Sequence, residues 1–228
     1  MNLKVNLGKT KDEQDHSVDF DQQGIHLTLL VGVSGTGKSV LHNHIYQQLV
    51  KQNSPEQITF VLIDNTHVDF TMWDLKSPYL YTPTITDQDL ALDVLETLAR
   101  EIEIINTEEK HYFIHIEECN QFANEPERMK RILNKLFDSH KDNKIHLIFS
   151  TSRPAPEIIT DWLLELADLK IIFKLASSED CITVAGENFS NSISNEVGEK
   201  IVILQNQITH LLPLSIDEVI SAENFKLL

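Results

Sequence analysis

A glycine-rich segment constrains the fold of this chain more than any other feature. Its residues, Gly32-Val33-Ser34-Gly35-Thr36-Gly37-Lys38-Ser39, match the pattern G-x-x-x-x-G-K-[ST] of a phosphate-binding P-loop. The apolar run 25–31 before it predicts a buried strand, and the pattern after it predicts a helix. The apolar face of that helix comprises Leu41, Ile45, Leu49 and Val50. A chance glycine-rich turn is the alternative, and the correct strand and helix on its two sides argue against it.

The P-loop predicts Mg²⁺ and ATP as cofactors. Its glycines allow backbone N–H groups to turn inward around phosphate oxygens, and the helix N-terminus adds a partial positive charge. We expect Lys38 to reach the β- and γ-phosphates and the Ser39 hydroxyl to ligate Mg²⁺. The remaining loop residues and Val40, which follows Ser39, complete the predicted nucleotide contacts.

Length and composition indicate an ordinary globular protein. The chain has 228 residues, of which 41% are hydrophobic, enough for one α/β domain with a sizeable core. It opens on polar residues without a signal peptide, and no apolar run approaches the length of a membrane span. We therefore expect a cytoplasmic protein, in which Cys119 and Cys181 are buried or inert thiols because they form no motif.

The net charge and the histidines argue against two classes of function. A formal charge of −16 disfavours a generic nucleic-acid coat, because such binding scales with the number of phosphates neutralised, although a local basic face remains compatible. His42 and His44 are two residues apart on a predicted helix and point to different sides. We interpret the ten histidines as surface or core residues rather than as a metal centre.

Apolar strands alternate with helical patterns along the chain. This order predicts an α/β fold of the P-loop NTPase (RecA-like) type, with a mostly parallel sheet flanked by helices. Segments 3–7 and 17–20 predict a short N-terminal β-hairpin, and segments 200–204 and 207–212 predict a C-terminal β-pair. We predict a single domain, divided into a β extension (1–24), an ATPase core (25–213) and a C-terminal helix (214–228).

Two further strand ends supply candidate catalytic groups. The strand 111–116 ends in Glu117, the predicted metal-side residue, and Glu118, the predicted general base. The alternative is a pair of solvated acids at a strand end. Thr151 and Ser152 follow the strand 145–150 and can contact the γ-phosphate or the attacking water. A turn or helix cap before Pro154 would explain the same two residues.

The order of these motifs resembles the motor domain of the FtsK/SpoIIIE family, which is grouped with the HerA-like ATPases. The resemblance runs from about Leu7 to Pro213. The segments that carry it are the P-loop together with Leu7-Gly8-Lys9, Gly24-Ile25-His26-Leu27, Val61-Leu62-Ile63-Asp64, Ile116-Glu117-Glu118 and Ser150-Thr151-Ser152-Arg153-Pro154.

The resemblance implies a homo-oligomer, a hexameric ring that moves double-stranded DNA through its channel at the expense of Mg-ATP. It implies a stand-alone motor core without the family's membrane, linker and DNA-reading parts. Ring ATPases commonly insert a basic residue into the neighbouring subunit's site. Lys141 occupies the family position for that residue, and Arg153 is the second candidate.

Several positions depart from the family pattern. Glu117 and Ser152 stand where the family usually has Asp and Gln, and Lys141 and Lys170 replace arginines. Lysine lacks the planar, bidentate guanidinium. Two alternatives to a DNA translocase therefore stay open. One is a protein-export ATPase of the type VII secretion kind, and the other is a nucleotide-binding assembly subunit with little hydrolysis.

The densest positive region of the chain is the predicted helix after Pro126. Arg128, Arg131 and Lys135 fall on one face of it, at i, i+3 and i+7. We interpret this face as a candidate DNA-phosphate surface, which Lys141 and Lys144 would extend. A solvated face or a contact to an acidic neighbouring subunit is the alternative.

Overall fold

A computed structural model describes residues 1–66, 68–70, 73, 78–105, 110–138, 144–154, 160–189, 192–193, 196–215 and 217–218. Its strands are β1 (Lys4–Lys9), β2 (Asp15–Asp19), β3 (Leu27–Val31), β4 (Ile58–Ile63), β5 (His111–Ile116), β6 (Ile145–Thr151), β7 (Leu169–Ile172), β8 (Lys200–Leu204) and β9 (Gln207–Leu211). Its helices are α1 (Lys38–Gln52), α2 (Gln88–Ile105), α3 (Pro126–Asp138), α4 (Asp161–Leu166) and α5 (Ser178–Ala185), with a 3-10 helix at Cys119–Asn124.

Seven strands form one sheet in the order β4-β5-β6-β3-β7-β8-β9. The first five are parallel, and β8 and β9 add to the β7 edge in antiparallel pairs. This arrangement confirms the predicted mostly parallel α/β sheet and its C-terminal β-pair. The P-loop strand β3 lies at the centre, and β6 separates it from β5. The carboxyl ends of β3, β6 and β5 therefore meet at one edge of the sheet, where the predicted site residues follow.

One face of the sheet is covered by α1 and by the predicted N-terminal hairpin, formed by β1 and β2. The backbone of Asn6 in β1 makes two hydrogen bonds with the Gln48 side chain on α1, at 2.8 and 3.0 Å. Apolar side chains of both elements share a single core, which includes Leu3, Val5, Leu7, Leu41, Ile45 and Leu49. The hairpin therefore braces the helix that follows the P-loop.

The opposite face of the sheet is covered by α2, α3 and α4. On α3, the apolar residues are buried or partly buried in this second core; they are Met129, Ile132, Leu133, Leu136 and Phe137. Both cysteines are buried, as predicted, and neither forms a disulfide. Among the described residues, no helix combines the length and the apolar character that crossing a bilayer requires.

Some element boundaries differ from the sequence predictions. The strand predicted to begin at residue 25 begins at Leu27, because the Ile25 N–H bonds back to the Phe20 carbonyl in the turn that follows β2. The sequence pattern also predicts a helix over 157–167; the structure has α4 there, and residues 155–159 lie outside the described part of the chain. The predicted C-terminal helix 214–228 lies mostly outside it as well. Ser177 caps α5, since its hydroxyl accepts the Asp180 N–H at 3.1 Å, and serine followed by acids in the first turn is a sequence pattern typical of a helix start.

Candidate functional site

The P-loop connects the end of β3 to the start of α1, and two of its glycines are required by close packing. A Cβ on Gly32 would lie 2.5 Å from the Cβ of Phe173, and one on Gly37 would lie 3.2 Å from the Cα of Gly198. Gly37 also has φ 107°, in the left-handed region that favours glycine. The loop is therefore held close to the segments that follow β7 and precede β8.

Lys38 is buried at the first position of α1, and its ammonium turns back over the loop. Its Nζ donates to the Gly32 carbonyl oxygen at 2.8 Å. The first turn of α1 contains no acidic residue, and no side chain caps the helix. A Cβ at Gly35 would meet only open space. Uncapped amides, a buried cation and an open loop together fit an anionic phosphate chain.

The predicted metal ligand Ser39 has a partner that the sequence did not predict. Its hydroxyl donates a hydrogen bond to Oδ1 of Asp69, thirty residues further along the chain. The nearby His42 imidazole contributes most to lowering the pKa of Asp69, and the Ser39 hydroxyl adds to this effect while burial opposes it. Asp69 is therefore an ionised carboxylate beside the start of α1.

Glu117 is buried and hydrogen-bonded at the end of β5. Its Oε2 accepts from the Ser150 hydroxyl and lies 3.1 Å from Nε2 of His115. Burial alone would raise the pKa of Glu117, but the hydrogen bonds from His115 and Ser150 bring it below the usual value. The alternative of a solvated acid is therefore wrong for Glu117, which is 2% exposed. Its predicted contact with Mg²⁺ stays a prediction.

His115 connects Glu117 to α1. With Glu117 ionised, Nε2 of His115 is the donor, which leaves Nδ1 to accept from the hydroxyl of Tyr46. Burial lowers the pKa of His115 despite its contact with Glu117, so the ring is neutral near pH 7. The ring of His42 lies edge-on to it, with centroids 4.9 Å apart, and Nε2 of His42 is 4.0 Å from Asp69. A buried polar cluster thus runs from the Ser39 side to the Glu117 side.

Glu118 follows β5 and contacts the end of β6. Both oxygens of its carboxylate accept the Ser152 N–H, at 3.1 and 3.0 Å, and the Thr151 hydroxyl lies 3.3 Å from Oε2. Its backbone has φ 49°, which is strained for a residue with a side chain. The structure therefore brings together Glu118, Thr151 and Ser152, the three groups predicted to act on the attacking water and the γ-phosphate.

The basic residues have different environments. Arg128 donates to Glu96 at 3.0 Å and to Asp93 at 2.6 Å, so its guanidinium is engaged with acids of α2. These ion pairs correct the prediction that Arg128 is available for phosphate. Arg131 and Lys135 are exposed on α3, as predicted. Of the two candidates for a trans-acting residue, Arg153 is exposed directly after β6, and Lys141 lies outside the described residues.

These features define a class of protein. A P-loop between a central parallel strand and a helix, with acidic and hydroxyl groups on the two next strands, is the architecture of a P-loop ATPase. Solved structures share it. The cytoplasmic domain of the type VII secretion ATPase EccC of Thermomonospora curvata has a TM-score of 0.77 at 17% identity over 93% of this chain and 28% of its own. The pCW3 conjugation coupling protein TcpA, with ATPγS, has a TM-score of 0.75 at 18% identity over 99% of this chain and 71% of its own.

Sequence comparison shows which P-loop ATPases the chain resembles. The FtsK/SpoIIIE family model matches residues 1–107. The DNA translocase FtsK of Leptospira interrogans is 25% identical over 84% of the chain, and that of Caldanaerobacter subterraneus is 28% identical over 80%. These matches confirm the predicted resemblance to FtsK/SpoIIIE motor domains. The chain spans 23% and 28% of the length of these two relatives.

Proposed function

We propose that this protein is a Mg²⁺-dependent ATPase that works as an oligomeric motor on double-stranded DNA. The observation that carries the proposal is the meeting of the P-loop, Glu117, Glu118 and the end of β6 at one edge of the sheet. Relatives that are named DNA translocases support the choice of cargo. Nucleotide-hydrolysing motors of this fold use these groups for positioning and charge stabilisation.

In the proposed site, Lys38 leaves the Gly32 carbonyl and neutralises phosphate charge. Ser39 and Glu117 would hold Mg²⁺, which would offset the negative charge that develops on the phosphate oxygens. Glu118 accepts a proton from the attacking water. Thr151 and Ser152 sit against Glu118 and report the presence of the γ-phosphate. Beside its hydrogen bonds from Ser152 and Thr151, the Glu118 carboxylate keeps lone pairs that can accept this proton.

The oligomer we propose is a cytoplasmic ring of six copies. Its sites lie at subunit boundaries, where Lys141 or Arg153 of one copy would approach the phosphates bound to the next. Exposure of Arg153 directly after β6 supports this role. Sizing the protein with and without a non-hydrolysable ATP analogue tests it, and a strict monomer in both states would contradict it.

A protein cargo is the second candidate function. It is favoured by the formal charge of −16 and by the ion pairs that occupy Arg128, because both weaken attraction to DNA. Under this alternative, the exposed Arg131 and Lys135 contact an acidic partner or an acidic neighbouring subunit. An assembly subunit with little hydrolysis is the third candidate, supported by the replacement of family arginines with Lys141 and Lys170.

A DNA-stimulated ATPase measurement separates the three functions. The parent and a Lys38→Ala control are assayed at low ionic strength with and without duplex DNA. Stimulated turnover in the parent alone supports the DNA motor. Basal turnover without stimulation or DNA binding favours a protein cargo. Nucleotide binding without turnover in either condition favours the assembly subunit and overturns the motor.

A further inference from the structure

Asp69 is aimed at the P-loop helix by a dedicated turn. The carboxylate of Asp64, which follows β4, accepts the N–H groups of Thr66, Val68 and Asp69 at 2.9 to 3.0 Å. It also accepts the Thr66 hydroxyl at 2.6 Å. Four hydrogen bonds on one buried carboxylate determine the path of this segment. As a result, the Asp69 side chain meets the first turn of α1 and bonds to Ser39.

The direction of the Ser39–Asp69 hydrogen bond matters for metal binding. A serine hydroxyl has one hydrogen and two lone pairs. Because the hydrogen is donated to a carboxylate, the lone pairs of Ser39 Oγ are free to face a cation. Without an acceptor, the hydrogen can rotate toward the cation and weaken the contact. An ionised acceptor also makes the hydroxyl oxygen a better ligand, as carboxylates do for other metal ligands.

Glu117 is anchored differently. Its Oε2 is engaged by Ser150 on β6 and His115 on β5, so this oxygen is fixed within the sheet. Within the described part of the chain, the carboxylate that accepts the Ser39 hydroxyl is that of Asp69. The two acids therefore come from different parts of the sheet edge, Asp69 from the turn after β4 and Glu117 from the end of β5.

We propose that Asp69 is a positioning residue that orients the Ser39 hydroxyl for Mg²⁺ and thereby sets the affinity for the metal. This inference rests on the proposed Mg-nucleotide site and adds a residue to it. It predicts that loss of Asp69 weakens Mg²⁺ and leaves metal-free nucleotide binding nearly unchanged. A merely structural role would weaken both together.

The test is a Mg²⁺ titration at saturating non-hydrolysable ATP analogue, read as thermal stabilisation. Nucleotide binding in EDTA is measured alongside it. Asp69→Ala removes the acceptor and should raise the apparent Kd for Mg²⁺ by about tenfold or more, the usual effect of losing a partner of a metal ligand. Asp69→Asn keeps an acceptor oxygen and should fall between Asp69→Ala and the parent. The exposed Asp21→Ala is the matched control and should equal the parent.

The Ser39→Ala variant tests whether Asp69 affects the affinity for Mg²⁺ through the Ser39 hydroxyl. If Asp69 acts through Ser39, the double variant Ser39→Ala/Asp69→Ala should bind Mg²⁺ no more weakly than Ser39→Ala alone. Additive losses would overturn the inference, as would an Asp69→Ala variant with the parent's Mg²⁺ affinity. An equal loss of metal-free nucleotide binding would also overturn it.

The response of the parent protein to Mg²⁺ and nucleotide distinguishes failure of this inference from failure of the proposed function. If Mg²⁺ and nucleotide do not stabilise the parent, the ATPase site itself is wrong. If the parent responds and Asp69→Ala responds equally, the site stands and only Asp69 loses its role. Should Asp69→Ala not fold, Asp69→Asn replaces it in the single and the double variant. A Mg²⁺ affinity of Asp69→Asn equal to the parent's would then overturn the inference.

Discussion

The two edges of the sheet both bury histidines, and they use them differently. At the amino-terminal edge, the rings of His111 and His146 stack with centroids 5.2 Å apart, and His111 Nδ1 lies 2.9 Å from His146 Nε2. Nδ1 of His146 donates to the Ile25 carbonyl at 2.7 Å. At the carboxyl-terminal edge, His115 bonds to the candidate metal-side acid Glu117, and His42 faces Asp69.

The difference lies in how the polar atoms are satisfied. Both ring nitrogens of His146 have partners, which belong to the backbone and to another ring of the same cluster. Neither ring nitrogen of His42 has a hydrogen-bond partner among the described residues. A buried polar group without a partner is costly and rare, and it calls for a specific explanation such as a catalytic role or a bound water or ion. The amino-terminal cluster therefore supports the fold, whereas the carboxyl-terminal cluster surrounds the proposed chemistry.

The largest expected effect falls on turnover at the carboxyl-terminal edge. Glu118→Gln should lower the ATPase rate by about 10²- to 10⁴-fold, the usual contribution of a general base. Nucleotide binding should persist, because Lys38 and the loop amides remain. His146→Gln, at the other edge, should leave turnover per folded molecule near the parent's value. Steady-state rates and nucleotide affinities of both variants test the contrast, and parental turnover in Glu118→Gln would place the base elsewhere.

The next effect is on ligand-linked stability. Lys38→Ala removes the buried cation of the P-loop, so Mg-ATP should no longer stabilise the fold. For the parent, a nucleotide concentration of about 100 times Kd adds roughly 2.7 kcal/mol. Thermal unfolding with and without nucleotide measures this difference. Equal stabilisation of variant and parent would show that the nucleotide binds outside the P-loop.

The buried His146 at the amino-terminal edge should make the stability of the fold depend on pH. Burial lowers the pKa of His146 to about 3, while the unfolded value is near 6.5. The unfolded chain therefore binds a proton below about pH 6.5 that the folded chain does not, so stability falls as pH decreases. The loss from this residue is about 1.4 kcal/mol per pH unit, or about 2 kcal/mol at pH 5.

Urea unfolding between pH 7 and pH 5 measures this effect. His146→Gln removes the titrating ring, so its acid-induced loss should be smaller than the parent's by about 2 kcal/mol. His115, whose pKa is also lowered by burial, acts in the same direction in both proteins. Identical pH profiles would indicate that the amino-terminal cluster does not remain neutral in the folded state.

The smallest effect compares two kinds of cation on α3. Arg131 and Lys135 face solvent, whereas Arg128 is held by Asp93 and Glu96. If the protein binds DNA, Arg131→Ala or Lys135→Ala should make the salt dependence shallower by about one unit of slope, and Arg128→Ala should change it less. DNA-binding isotherms at several salt concentrations measure this slope for each variant. Undetectable binding at low ionic strength with Mg-ATP would favour a protein cargo or an assembly role.

Local patterns predicted much of this architecture. The sequence predicted the P-loop, its helix α1 and the carboxylates after β5, because each depends on a short run of residues with a known period or spacing. The meeting of Glu118 with Thr151 and Ser152 followed from the rule that the ends of parallel strands lie together. The same reasoning predicted that Arg128, Arg131 and Lys135 share one helix face. It could not predict the ion pairs of Arg128, because the acids belong to α2, a distant segment of the chain.

Asp69 shows why part of the site was missed. It lies in a turn-rich segment without hydrophobic period, and its partner Ser39 is thirty residues away. The available signal was Asp64, an acid at a strand end, whose buried carboxylate organises the turn. No spacing rule links such a turn to a particular helix start, because the contact depends on where β4 lies in the sheet.

The sequence by itself determined the phosphate loop, the class of fold and the residues that follow each strand. These properties are local, since backbone conformation and periodic burial depend on neighbours in the chain. Only the tertiary structure decided that β6 lies between β3 and β5, that Asp69 bonds to Ser39, and that Arg128 is paired. These properties depend on packing between distant segments of the chain, because that packing decides which hydrogen-bond partners lie next to each buried polar group.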